Sequence, residues 1–377
     1  MTDSDLREFG GHFVIGLQPS PDLTDHDRYL LERLRPAGIV VFKGNFAHGE
    51  EYPAWLERFA RLLREVRECI GRPRILVGID HEGGRVIRPP APVTHYEYAR
   101  EWADRAGAVG AAMAVELRSL GVNLNFAPVL DVDSNPANPV IGPRAFGTTP
   151  EEVAAAGTAF MAGLEGNGVL ACPKHFPGHG DTDVDSHYVL PTLPFGVEQL
   201  RARELPPFAA AVAAGARVVM TAHIRVPSLD EAYPSTMSPR IVNGLLRGEL
   251  GYGGAVITDD VGMGATSEMF RDTANAARVI GAGCDLISLC AYWTDTHRAF
   301  GLAEGIARAA ASGELSQRAL DDSRGRIEAL LRAAPQHEPA ELPLAVFREH
   351  AALAPVRVPE APEEGPGGTC IVLPREG

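Results

Sequence analysis

A (β/α)8 barrel is the fold class this sequence predicts, and three observations predict it. Eight short runs of apolar and β-branched residues recur along the chain, with helix-patterned stretches between them. The runs do not alternate polar with apolar, so both faces of each strand must be covered, as in a parallel sheet wrapped by helices. Several helix-to-strand joins carry glycine where a helix C-cap belongs, at Gly121, Gly168 and Gly215.

In chain order the runs are "HFVIGL" from His12, "AGIVVF" from Ala37, "ILVGID" from Ile75 and "VNLNFAPV" from Val122. They continue with "VLACPKHF" from Val169, "RVVMTAHI" from Arg217, "AVITDD" from Ala255 and "DLISLC" from Asp285. The stretches between them, such as "WLERFARLLREVRECI" and "AGAVGAAMAVELRSL", place apolar residues at helical spacing. An open doubly wound sheet is the competing architecture. Its usual nucleotide signals are missing, since no GxGxxG opens a helix after the first strand and no GxxxxGKS or GxxxxGKT occurs.

One barrel domain is expected over residues 1–334. Beyond Ala334, "APQHEPAELP" and "PEAPEEGPGG" turn rich in Pro, Glu and Gly and read as a short C-terminal tail, 335–377. Two apolar pieces within it, "LAVF" and "CIVLP", are able to pack on the barrel, and its acidic run reads as a solvated surface. The tail is too short for a second large domain.

Composition narrows the function classes. Of 377 residues, 45% are hydrophobic and 22% charged, which is a globular balance. No uninterrupted apolar run is long enough to cross a bilayer. The formal net charge of −14 argues against a nucleic-acid backbone as partner. Cys69, Cys172, Cys284, Cys290 and Cys370 are scattered and odd in number, with no CxxC pair, and read as buried free thiols. The acidic, polar start "MTDSDLREFGG" lacks the basic and apolar regions of a secretion signal, so a cytoplasmic location is expected.

Reactive groups in such a barrel sit at the C-terminal ends of its strands. Four of the predicted strands end in ionisable residues: Asp80, then Lys174 with His175, then His223, then Asp259 with Asp260. One such residue is an ordinary cap or a satisfied core histidine. Four at the same end mark an active-site rim.

The densest polar cluster is "KHFPGHGDTDVDSH" from Lys174. Pro177, Gly178 and Gly180 break the helix that a His-x3-His metal pair would need, and no HExxH or EF-hand pattern is present. Ligand abundance alone does not make a metal site. The competing reading is a dyad, with Asp185 two residues before His187. A carboxylate bonded to an imidazole fixes its tautomer and makes a proton donor usable near neutral pH. That reading gains force beside a separate nucleophile, and "ITDD" offers one. His179, between two glycines, reads as a loop-ordering hydrogen bonder, and Asp260 as a structural carboxylate bonded to nearby backbone N–H groups.

The stretches "DHEGGRVIR" at Asp80, "IGPRAFG" at Ile141, "KHFPGHGDTDVDSH" at Lys174, "MTAHI" at Met220 and "LLRGELGYGGAVITDD" at Leu245 occur in that order. Together they resemble glycoside hydrolase family 3, and most closely its bacterial β-N-acetylhexosaminidase branch, which acts in cell-wall recycling. The resemblance spans about His12 to Arg332. It implies a retaining β-N-acetylhexosaminidase on a TIM barrel that needs no metal or cofactor and takes a small-molecule glycoside, a muropeptide fragment in the cell-wall role.

It also implies roles residue by residue. Asp259 matches the nucleophile, His187 the acid/base and Asp185 the group that orients it. Asp80, Arg88, Arg144, Lys174 and His175 match positions that hold the aminosugar, and His223 stands between sugar contact and rim structure. Two departures are present: His81 where the branch usually has Gln, and Val261-Gly262 where Leu-Ser is common. Phosphorolysis of the same glycosides and another β-glycosidase activity are the enzymatic alternatives, and a non-catalytic sugar-binding barrel is the third.

Overall fold

Each of the eight apolar runs forms a strand: β1 (Phe13–Gly16), β2 (Gly38–Val41), β3 (Leu76–Ile79), β4 (Leu124–Asn125), β5 (Leu170–Ala171), β6 (Val218–Thr221), β7 (Ala255–Asp260) and β8 (Leu286–Leu289). The computed structural model describes residues 3–292 and 294–357, so "PEAPEEGPGG", "CIVLP" and Cys370 lie outside the described residues.

All strand pairs are parallel, in the order β5-β4-β3-β2-β1-β8-β7-β6. The remaining seam is closed by the chain just past β5. The Phe176 N–H donates to Met220 O at 2.8 Å, and the Ala222 N–H donates to Phe176 O at 2.7 Å. The "KHF" stretch just beyond β5 is therefore the last joint of the barrel.

β4 is shorter than its apolar run because asparagine side chains take over ladder positions. Asn123 Oδ1 accepts from Val77 N and its Nδ2 donates to Ile75 O, while Asn125 bonds the backbone of His81 in the same two ways.

A helix follows every strand: Asp25–Leu34, Tyr52–Ile70, Ala106–Ser119, Pro150–Gly166, Leu205–Ala213, Arg240–Glu249, Ala274–Ala282 and Arg298–Ser312. Their starts and stops follow local chemistry. Thr149 and Glu152 form a reciprocal capping box ahead of Pro150–Gly166. The expected capping glycines Gly121, Gly168 and Gly215 adopt φ of 81°, 89° and 87°, a left-handed turn that costs other residues a steric clash.

Side chains alternate across each strand and divide the core in two. One set, including Phe13, Ile15, Ile39, Val77, Ile79 and Val256, packs outward against the helices. The other fills the barrel: Val14, Val40, Leu76, Leu124, Leu170, Val218, Ile257 and Leu286. The helix Gln317–Ala333 and its C-cap seal this inner stack from below with Ile327, Leu330 and Ala334.

Residues 335–357 run along the outside of the barrel. Their helix, Leu344–Ala351, buries Phe347 edge-on to Tyr52, with ring centroids 5.5 Å apart. Cys172, Cys284 and Cys290 are buried and Cys69 is half-buried, all as free thiols. Among the described residues, no helix is long and apolar enough to cross a membrane.

Candidate active site

The period of two that fills the barrel also builds the site at its mouth. On β3 the inward positions run Leu76 and Gly78 and, past the strand, Asp80 and Glu82. From β5 they run Leu170 and, just past the strand, Cys172 and Lys174, and on β7 Ala255, Ile257, Asp259. The lower members pack in the barrel, and Asp80, Glu82, Lys174 and Asp259 line a cavity at the C-terminal rim. A register shift between Ile257 and Asp260 turns Asp260 into the same cavity. Arg88, Arg144, His175, Asp185 and His187 complete the set of sequence-predicted residues that line it.

His223 is the exception. It stands an odd step from the inward Val218 and Met220, so the alternation carries it behind the wall. It is fully buried and absent from the lining. Its Nδ1 bonds Thr236 Oγ1 at 2.9 Å and its Nε2 bonds the Asp260 carbonyl at 3.1 Å. Of the two readings left open for His223, its place behind the wall favours rim structure, with its ring holding the backbone at the β7 end.

On one side of the cavity four charged groups interlock with Arg88. Lys174 Nζ contacts Asp80 at 2.8 Å and Glu82 at 2.6 Å. Arg144 forks onto Glu82 at 2.8 and 2.9 Å, and Arg88 reaches Asp80 at 3.3 Å. Burial alone pushes both carboxyls up, but the adjacent cations outweigh it and hold Asp80 and Glu82 below their ordinary values. The result is a fixed network of three cations and two carboxylates, whose donors and acceptors suit the hydroxyls of a small polar ligand. Phe42 flanks it, with Arg88 over its ring at 5.4 Å and Tyr292 edge-on at 4.6 Å.

Two of these anchors escape a reading of strand ends alone. Glu82 is signalled by its place two residues past Asp80, on the same side of the chain. Asp131 lies in "LDVD" beyond β4, fully buried. It accepts from His175 Nδ1 at 2.6 Å and from the backbone N–H groups of His175 and His179 at 3.2 and 2.7 Å. His175 is thus clamped at one ring nitrogen while its edge faces the cavity.

Opposite stands the loop with Asp185 and His187. Asp185 Oδ1 accepts from His187 Nδ1 at 2.6 Å. Burial raises the Asp185 carboxyl, but its bonds to the His187 ring and backbone win and hold it below the usual carboxylate range. His179 steadies this loop, with Nδ1 bonded to Thr182 Oγ1 at 2.7 Å and Nε2 to Ser186 Oγ at 3.0 Å. Burial pushes the His179 ring down to about 4, so it is neutral near pH 7.

At the end of β7 two neighbouring carboxyls are driven apart. Burial raises Asp259, yet the His175 and His223 rings and the Asp260 N–H outweigh it, and the group lies below its ordinary value. Asp260 Oδ1 accepts from Gly262 N at 2.9 Å and Cys290 N at 3.0 Å, while Oδ2 is buried without a partner. Burial, reinforced by the Asp259 charge, pushes Asp260 up to about 8. The two neighbouring carboxyls are thus driven apart, Asp259 towards the ionised form and Asp260 towards the neutral acid.

The residues of "KHFPGHGDTDVDSH" do not converge on one point. Asp131 holds His175, Thr182 and Ser186 hold His179, Arg203 holds Asp181 at 2.8 Å, and His187 holds Asp185. Among the described residues, the group whose ligand atoms lie within 4.8 Å of one another is His26, Asp295 and His297, outside the cavity lining. Its imidazoles stack at 3.7 Å with planes 4° apart, which sends their in-plane lone pairs along parallel sheets and not to a shared centre.

Comparison with known proteins agrees with this geometry. Residues 17–330 match the glycosyl hydrolase family 3 N terminal domain. The β-hexosaminidase of Methylococcus capsulatus is 38% identical over 278 residues, covering 72% of this chain and 80% of that protein. The glycoside hydrolase family 3 β-N-acetylglucosaminidase from a Paenibacillus species superposes with a TM-score of 0.82 at 34% identity, over 93% of this chain and 68% of that one. NagZ from Neisseria gonorrhoeae, solved in complex with N-trifluoroacetyl-D-glucosamine, gives 0.74 at 29% identity over 91% of this chain and 98% of that one.

Proposed function

This chain belongs to glycosyl hydrolase family 3, and from that premise we propose that it is a retaining β-N-acetylhexosaminidase that releases terminal β-linked N-acetylglucosamine. The observation that carries the mechanism is one cavity lined both by an ionised carboxylate, Asp259, and by an imidazole oriented through a second carboxylate, His187 with Asp185.

Asp259 attacks the anomeric carbon and forms the glycosyl–Asp ester. The bond from that carbon to the leaving oxygen breaks, and His187 gives that oxygen the proton on Nε2. Water then attacks the same carbon, neutral His187 takes its proton, and Asp259 departs as carboxylate. Two displacements on opposite faces retain the β configuration. Asp80, Arg88, Arg144, Lys174 and His175 hold the sugar during both steps, and Glu82 holds Lys174 and Arg144 in place. No step in this scheme calls on a metal.

The histidine acid/base replaces the second carboxylate of the general glycosidase scheme. A neutral imidazole repels an anionic acceptor less than a carboxylate does, so phosphorolysis is the second reading. Turnover in phosphate buffer, assayed for sugar 1-phosphate against free sugar, separates the two. We place the reaction in the cytoplasm, with muropeptide fragments as substrate. Unpaired Cys172, Cys284 and Cys290 suit a reducing compartment. A panel of natural disaccharides and muropeptides, scored for released N-acetylglucosamine and product anomer, tests the reading. An inverted product or no release from any of them overturns it.

A further inference from the structure

The loop that carries His187 meets the turn that follows Asp259 through main-chain atoms. The Gly264 N–H donates to His187 O at 2.9 Å, and the Ala265 N–H donates to Ser186 O at 3.3 Å. The turn is tied back in its own right: Met263 N donates to Asp260 O at 3.0 Å, and the N–H groups of Thr266 and Ser267 both donate to Met263 O. A chain of backbone bonds therefore runs from the end of β7, beside Asp259, to the residue that carries the imidazole.

Gly264 makes that contact possible. Its φ lies outside the left-handed region, so its own backbone conformation is open to alanine. What excludes a side chain is proximity. A Cβ there would stand 2.6 Å from Tyr188 O and 2.7 Å from His187 O, closer than real carbon contacts come, and both obstacles are backbone, so no side-chain rotation relieves the clash and the chain itself must shift. The cheapest relief is outward displacement of the 185–188 loop, whose Tyr188 is already 57% exposed.

We propose that Gly264 is a positioning residue for the general acid: by lacking a side chain it lets the β7 turn hold His187 in register with Asp259. The inference rests on the proposed acid/base role of His187. It extends that role to a glycine which touches neither substrate nor reacting atoms. Displacing the imidazole by even about 1 Å is costly for proton transfer, because donor and leaving oxygen must come within hydrogen-bond reach. Asp259 keeps its place on β7 and need not move.

The test compares Gly264→Ala and Gly264→Val with the parent on two substrates, a β-linked N-acetylglucosamine disaccharide and 2,4-dinitrophenyl N-acetyl-β-glucosaminide. The dinitrophenolate leaves without protonation, so its release reports Asp259 and the sugar site alone. Gly264→Ala is expected to lower kcat/KM on the disaccharide by about tenfold or more, and on the activated glycoside by less than about threefold; Gly264→Val should exceed it on the disaccharide only. In a His187→Ala background, adding Gly264→Ala should change disaccharide turnover by less than about twofold, since there is no imidazole left to misplace. Equal losses on both substrates, or losses that multiply in the double variant, overturn the inference and leave Gly264 as general scaffold. If His187→Ala alone shows no leaving-group dependence, the acid assignment falls, and this inference falls with it.

Discussion

Asp185 Oδ1 accepts two bonds from the same residue, from the ring Nδ1 of His187 at 2.6 Å and from its backbone N–H at 2.8 Å. The first bond fixes the ring proton on Nδ1 and assigns the exchangeable proton to Nε2. The second sets the direction in which the ring leaves the chain. His187→Ala should therefore lose disaccharide turnover by about 10²–10⁴-fold and retain far more of its rate on dinitrophenyl glycosides. Asp185→Asn should show the same pattern more weakly, since the imidazole stays but loses its orienting charge. Steady-state kinetics across phenols of graded acidity checks both.

Asp259→Asn replaces the proposed attacking carboxylate with a neutral amide of the same shape. Turnover of aryl N-acetyl-β-glucosaminides should fall far beyond tenfold with the thermal transition retained. A variant within about tenfold of the parent, a barrier change of only about 1.4 kcal/mol, sinks the nucleophile assignment.

Asp260 titrates in the opposite sense to its neighbour. Its folded value of about 8 lies above the ordinary aspartate value of 3.8, so folding binds a proton that the unfolded chain releases as pH rises through that window. The resulting contribution to stability is fully present below 3.8 and is lost progressively up to about pH 8. Asp260→Asn, which cannot ionise, should raise the melting temperature relative to the parent more at pH 8 than at pH 4. Thermal melts at the two pH values measure it, and an equal shift at both refutes it.

Glu82 is the shared acceptor of Arg144 and Lys174, all three nearly inaccessible to solvent. Glu82→Gln leaves two buried cations with too little counter-charge and should destabilise the fold by about 3–5 kcal/mol. The depressed value of Glu82 makes its contribution complete above the ordinary 4.5 and lost as pH falls further below it. The gap between parent and variant should thus narrow in acid, as urea unfolding at pH 7 and pH 3 would register.

Dialysis against EDTA should leave activity unchanged. Loss on chelation, with recovery on adding one divalent ion, would restore the metal reading of the histidine-rich loop.

The strands were legible because each is covered on both faces, which leaves an unbroken apolar run in the sequence. The rim was legible where a polar residue ends such a run, as at Asp80, Lys174 and Asp259. His223 shows the limit of that rule: an ionisable group at a strand end faces the cavity only if it has the right parity, and His223 is one step off. Asp260 has the wrong parity as well and reaches the lining through a register shift that no residue pattern announces. Asp131 was hidden for another reason. It lies beyond the end of an apolar run, and its partners His175 and His179 come from the segment that follows another strand, so only tertiary proximity identifies it.

The seal beneath the barrel orders events in time. β1 pairs with β8, Phe13 facing Ile287, and the plug of Ile327, Leu330 and Ala334 comes later still. The first strand therefore waits for nearly the whole chain to leave the ribosome before its second edge is covered and its inner face meets a floor. Contacts so distant in sequence slow folding and leave an unpaired parallel edge exposed meanwhile. A nascent chain stalled short of Ile327 already carries Asp259, His187 and their anchors but has no floor under them, so the end of one helix is the last piece to close the barrel beneath the site.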